Sequence, residues 1–141
     1  MKGKLSYLLM LLIITLAACG QSPDEQLQSE IKTVSSWTAT AQMAAEAWSK
    51  GDVPHAYARR TLETAQENFH ETTEALKETE EIPANQKSQA EEQISGLRQT
   101  INQMQTAVES DDKQALAQSL DHLNKQKQAL EAFTKSAGRG H

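Results

Sequence analysis

Four runs of apolar and small residues recur at alternating intervals of four and three, and each run is closed by a helix breaker. The first is Leu27, Ile31, Val34, Thr38, Ala41, Ala45 and Trp48. The second is Ala58, Leu62, Ala65, Phe69, Thr72, Leu76 and Thr79. The third is Ala90, Ile94, Leu97, Ile101, Met104 and Val108, and the fourth is Leu116, Leu120, Leu123, Lys127 and Leu130, with Phe133 close by. A heptad repeat draws its side chains into one stripe along a helix, and that stripe must be buried against another helix. Lys127 is the one seam position that breaks the pattern.

The punctuation between the runs sets the helix limits. Ser22-Pro23-Asp24-Glu25 reads as a start, with Ser22 as N-cap, Pro23 at the first helical position and Glu25 completing a capping box. Gly51 stops this helix, Pro54 opens the next, and Pro83 separates the second from the third. Asp111-Asp112-Lys113-Gln114 is an Asp-x-x-Gln start for the fourth. The expected helices are residues 22–50, 54–81, 83–109 and 111–136, followed by a frayed tail over 138–141. Short connections force neighbours to run antiparallel, so the expected fold is all-α: an up-down four-helix bundle spanning 22–137. No alternating β-branched run or Asn-Gly hairpin signal interrupts this reading.

Composition narrows the function classes. A chain of 141 residues is one domain's length, and its formal charge of −5 argues against a basic nucleic-acid binder. One cysteine excludes a disulfide scaffold. Many seam positions are Ala or Thr, which bring helices close and leave no room for a large cofactor, so none is expected.

The N-terminus carries a different signal. Lys2 and Lys4 precede an apolar block from Leu5 to Leu16, and the block ends in Leu16-Ala17-Ala18-Cys19. The block is short of the ~20 residues a spanning helix needs and has the charged start and apolar middle of a signal peptide. Residues 1–20 resemble the leader of a bacterial lipoprotein, with Leu16 to Cys19 as the lipobox. The resemblance implies cleavage by signal peptidase II between Ala18 and Cys19, which removes residues 1–18 as signal peptide. It also implies a diacylglyceryl group on the Cys19 thiol and, in many bacteria, a further acyl chain on the new α-amine. Two or three chains anchor stably where one does not.

Several expectations follow from that resemblance. Loss of Lys2 and Lys4 makes the chain two charge units more negative. Gly20 stands where an Asp would resemble an inner-membrane retention signal, which favours the periplasmic face of the outer membrane in a Gram-negative cell. In a Gram-positive cell the protein would sit on the outer face of its membrane. About five residues link Cys19 to the first helix and reach at most roughly 18 Å, so the bundle stands close to the bilayer. A Cys19 consumed by lipid is neither a nucleophile nor a redox centre.

Within the helices, Glu67-Asn68-Phe69-His70 is a Glu-x-x-His pair, as used by di-iron bundles. Phe69 and Leu62 hold the seam, however, which turns Glu67 and His70 outward. No second pair exists, because Ser119 stands three residues before His122. Glu67, His70, Glu71 and Glu74 remain weak candidates for surface capture of a divalent ion. A haem would need Met43 or Met104 facing His122 across the core. No nucleophile elbow, phosphate loop or zincin motif is present, and no catalytic residue is expected.

Aromatic and basic residues gather around the first turn. Trp37, Trp48 and Tyr57, with His55, Arg59 and Arg60, span the first hairpin. Trp, Tyr and Arg are the usual anchors of protein interfaces, which makes this cluster the candidate partner patch. Trp48 lies on the seam and can equally plug the end of the bundle. The sequence therefore points to a lipid-anchored, non-enzymatic binding or accessory module beside the membrane, with an envelope protein as partner. The alternatives are a metal or small-ligand carrier using the acidic second helix, and a bundle that self-associates through its heptads.

Overall fold

The computed structural model describes residues 22–139; the expected signal peptide, the lipidated Cys19 and its tether, and the last two tail positions lie outside the described residues. Among the described residues there are four helices and no strand: α1 (Pro23–Lys50), α2 (His55–Glu78), α3 (Ala84–Glu109) and α4 (Lys113–Ala137). Each helix packs on its chain neighbour and α4 closes against α1, giving an all-α four-helix bundle. Across the diagonals α1 touches α3, whereas α2 and α4 do not meet. No described helix is long and apolar enough to cross a membrane.

The heptad stripes form the core. Every seam residue of α1 and α3 is buried, as are those of α2 from Ala58 to Leu76 and Leu116, Leu123 and Leu130 of α4. Leu120 and Phe133 are half-buried against this cluster. The buried stripe is wider than the heptads alone, because Ala44, Thr100, Ala107 and Ser119 are also covered. A bundle helix faces two neighbours and a diagonal, so the positions flanking its seam lose their water too. Three of the four buried hydroxyls are satisfied within their own helix: Thr38 donates to the Val34 carbonyl at 2.8 Å, Thr100 to Gly96 at 3.2 Å and Ser119 to Ala115 at 3.0 Å, while Thr72 pairs with Glu30 across the α1–α2 contact. Polar seam residues therefore cost little and create no polar cavity.

The two turns at one end share a geometry. After α1, Asp52 N–H donates to the Ala47 carbonyl at 2.8 Å and Gly51 N–H to Trp48 at 2.9 Å, with Gly51 at φ 81°. After α3, Asp112 N–H donates to Ala107 at 2.8 Å and Asp111 N–H to Val108 at 3.2 Å, with Asp111 at φ 54°. Both are Schellman closures, which need a left-handed residue just past the helix. Asp111 is thus committed to ending α3. The N-cap of α4 is accordingly Asp112, one residue later than the sequence pattern places it, and its side chain accepts from Ala115 N–H at 2.9 Å.

The other end is built differently. Ser22 caps α1 by accepting from Glu25 N–H at 3.3 Å. The second helix ends at Glu78 rather than residue 81. Thr79 leaves the helix in an extended conformation, so that Ile82 can turn back into the core at 3% exposure before Pro83 caps α3. The chain past α4 continues the turn, with Gly138 N–H on Thr134 at 3.1 Å and Arg139 N–H on Ser136 at 3.3 Å. Gln26 Nε2 donates to Thr79 Oγ1 at 3.0 Å, and Gln28 Nε2 to the Thr134 carbonyl at 3.3 Å. These bonds gather the start of α1, the α2–α3 connection and the end of α4 at the end from which residues 1–21 depart.

Candidate functional site

The structure divides the predicted aromatic and basic cluster. Trp48 is 7% exposed and belongs to the core, with Lys113 Nζ standing 5.9 Å from its ring centroid. It closes the end of the bundle against the start of α4, where a cation over an indole face is favourable. His55 opens α2 and is exposed, away from the hollow that the remaining residues form. Arg59 leans toward Glu63, with Nε 3.9 Å from Oε1, an exposed pair contributing little.

Trp37, Tyr57 and Arg60 do come together. With Thr40, Thr61 and Thr64 they line a hollow of about 280 Å³ on the outer face of α1 and α2. Trp37 packs its inner edge on the core and leaves the rest uncovered. Tyr57 is 55% exposed, one of two large hydrophobics among the described residues standing so far into solvent. Arg60 has no ion-pair partner among the described residues. The arrangement follows from α2's seam. Ala58 and Leu62 point inward, so Tyr57, Arg60 and Thr61 fall on the flank nearest α1 and Arg59 on the flank beyond. An indole, a phenol and a free guanidinium around one concavity can take an apolar side chain and pair with a carboxylate beside it. They offer no nucleophile–base pair. Met43, 69% exposed, lies about a third of a turn round α1 from Trp37 and does not extend this face.

The acidic face of α2 has no comparable focus. Glu67, His70, Glu71 and Glu74 are all exposed, while Phe69 between them is fully buried. Among the described residues no three His, Cys, Asp or Glu side chains converge as metal ligands. Glu74 bonds Lys77 at 2.9 Å, and that lysine holds its carboxyl below the ordinary value. The haem pair is ruled out by position: Met104 is fully buried, while Met43 and His122 are exposed.

A feature that heptad reading misses lies between α1 and α4. Two adjoining hollows, of about 570 and 240 Å³, share Ser35 and Glu131. Their floor includes the buried Ile31 and Leu130, with Lys32, Glu131 and Lys135 on the rim. Ser35 and Ala39 are small residues beside the α1 seam, and their size leaves this opening. The sequence signal is only a pair of short side chains four residues apart, which is common in this chain.

No family profile matches the chain, and no curated protein or solved structure is significantly similar to it.

Proposed function

We propose that this chain is a bacterial lipoprotein, anchored through Cys19, whose bundle is a non-enzymatic binding or accessory module holding an envelope protein through the Trp37–Tyr57–Arg60 hollow. The observation that carries the binding reading is the hollow itself. Around one concavity it exposes an aromatic pair and an unpaired arginine, on a surface otherwise dominated by Gln, Glu, Lys and Thr. The partner chemistry that fits is a protein segment presenting an apolar side chain next to an acidic one. The lipobox supplies the anchoring reading, which places the protein on the extracytoplasmic side of a membrane. In a two-membrane cell that is the periplasmic face of the outer membrane.

Crosslinking in native membranes followed by mass spectrometry tests the binding role. Wild-type protein is expected to recover a heterologous partner, and Trp37→Ala with Arg60→Ala to lose it while far-UV helicity holds. Unchanged recovery would rule this surface out. Anchoring is tested separately: Cys19→Ala abolishes lipid labelling and peptidase processing, and a label that survives the substitution refutes it.

A further inference from the structure

The groove between α1 and α4 differs from the partner hollow in shape, lining and place. It is the side on which the bundle closes, between the first and last helices, with no connecting turn to draw them together. Two polar clasps bracket it. Gln28 Nε2 reaches the Thr134 carbonyl at 3.3 Å, and Lys127 Nζ reaches Gln42 Oε1 at 2.8 Å. The clasps are fourteen residues apart on α1, or about 21 Å at 1.5 Å per residue. Between them Ser35 and Ala39 leave the helices unfilled, over a floor of Ile31 and Leu130. Apart from Ile31 the larger hollow is lined by polar and charged residues, among them Gln28, Lys32, Glu131 and Lys135, and its apolar surface comes from their aliphatic stems.

The position of the groove selects its occupant. Its lower end, which reaches Glu25 past the Gln28–Thr134 bond, lies within the first turns of α1, next to the point where residues 1–21 join. Cys19 is three residues before Ser22, a tether that reaches about 10 Å. An alkyl chain that fills one leaflet, half of a hydrocarbon core about 30 Å thick, extends about 15 Å. The groove is long enough for it, and the tether is long enough to deliver it.

Resting on the anchoring reading above, we infer that the α1–α4 groove shelters one alkyl chain of the lipid carried by Cys19 whenever the anchor is outside a bilayer. The bilayer takes that chain when it is available, and the groove takes it in water, where exposed methylenes are most costly. Lys32 and Lys135 line the hollow, and their stems would lie along the chain with the ammonium groups in water.

The test uses the full chain made in a lipidating bacterium fed a fatty acid bearing a photoreactive diazirine. The protein is purified, freed of detergent, irradiated and peptide-mapped, and the intact mass of the Cys19 peptide is read first. Adducts within residues 25–39 and 127–135 of the same molecule are expected, with their loss in Ser35→Phe/Ala39→Phe protein of unchanged helicity. A lipid-bearing Cys19 whose adducts lie elsewhere, or on a second copy, overturns the groove and leaves anchoring standing. A Cys19 without lipid overturns both.

Discussion

Lys127 Nζ donates to Gln42 Oε1 at 2.8 Å, joining α4 to α1 across 85 residues of sequence. Gln42 in turn donates to Glu46 Oε1 at 2.8 Å, so the ammonium, the amide and the carboxylate form a chain along the edge of the core. The lysine that interrupts the α4 heptads is therefore a clasp between the first and last helices, which no connecting turn joins.

That pairing gives a coupled pair of variants. Lys127→Ala and Gln42→Ala are each expected to destabilise by about 1 kcal/mol, the ordinary net value of a hydrogen bond with one charged partner in a half-exposed setting. The double variant should cost less than the sum, since the second substitution removes a bond already lost. Urea denaturation of the four proteins measures the coupling, and strict additivity would show that the clasp contributes nothing.

The matched turns make opposite predictions. Asp111 adopts a left-handed conformation that costs an ordinary residue ~1–2 kcal/mol, against an entropic cost of ~0.5–1 kcal/mol for glycine. Asp111→Gly should stabilise by about 0.5 kcal/mol. Gly51→Ala should destabilise by about 1 kcal/mol, although nothing lies within 4 Å of the added methyl, because its φ of 81° is the obstacle. Thermal melts showing the two shifts in opposite directions would check both.

Gly96 is the one interior helical glycine of α3, and a methyl there would meet Gln126 Nε2 at 3.1 Å. That amide is the far end of a flexible side chain, and its Oε1 makes no hydrogen bond among the described residues, so it can withdraw cheaply. Gly96→Ala is expected to stabilise by up to about 1 kcal/mol, the helix-propensity difference. A fall in melting temperature would mean that Gln126 is held in place.

Glu30 supplies a pH dependence. Burial between α1 and α2 raises its carboxyl above the ordinary 4.5 by more than its hydrogen bond to Thr72 lowers it. Between 4.5 and that raised value the folded state binds more protons than the unfolded, so stability falls as pH rises and the loss is complete at neutral pH. Glu30→Gln should raise the melting temperature slightly at pH 7, on the scale of a few tenths of a kcal/mol for a largely solvated group. Below the ordinary value the gain should shrink toward zero. A gain that grows on acidification would contradict the sign.

The Trp37–Tyr57–Arg60 hollow was only half legible in the sequence. Trp37, Tyr57 and Arg60 could be picked out by type, but so could Trp48, His55 and Arg59. Only the rotation of each side chain about its helix separates Tyr57 and Arg60 from Arg59, and burial in the core cluster decides that Trp48, already on the seam, plugs the end of the bundle. The α1–α4 groove had only the weak signal of Ser35 and Ala39, because an opening is made by what two distant segments fail to fill.

Heptad spacing and the Pro, Gly and Asp breakers determined the helices, their number and their buried faces, since a stripe of apolar residues has one way to leave water. They did so to within two residues at every end but one, the close of α2, which falls three residues early at Glu78. Tertiary structure decided the rest: where Thr79 must release the chain so that Ile82 can return, which aspartate closes α3 and which opens α4, and where hollows remain between α1 and α4. Those outcomes depend on contacts between segments far apart in the chain, and local periodicity carries no information about them.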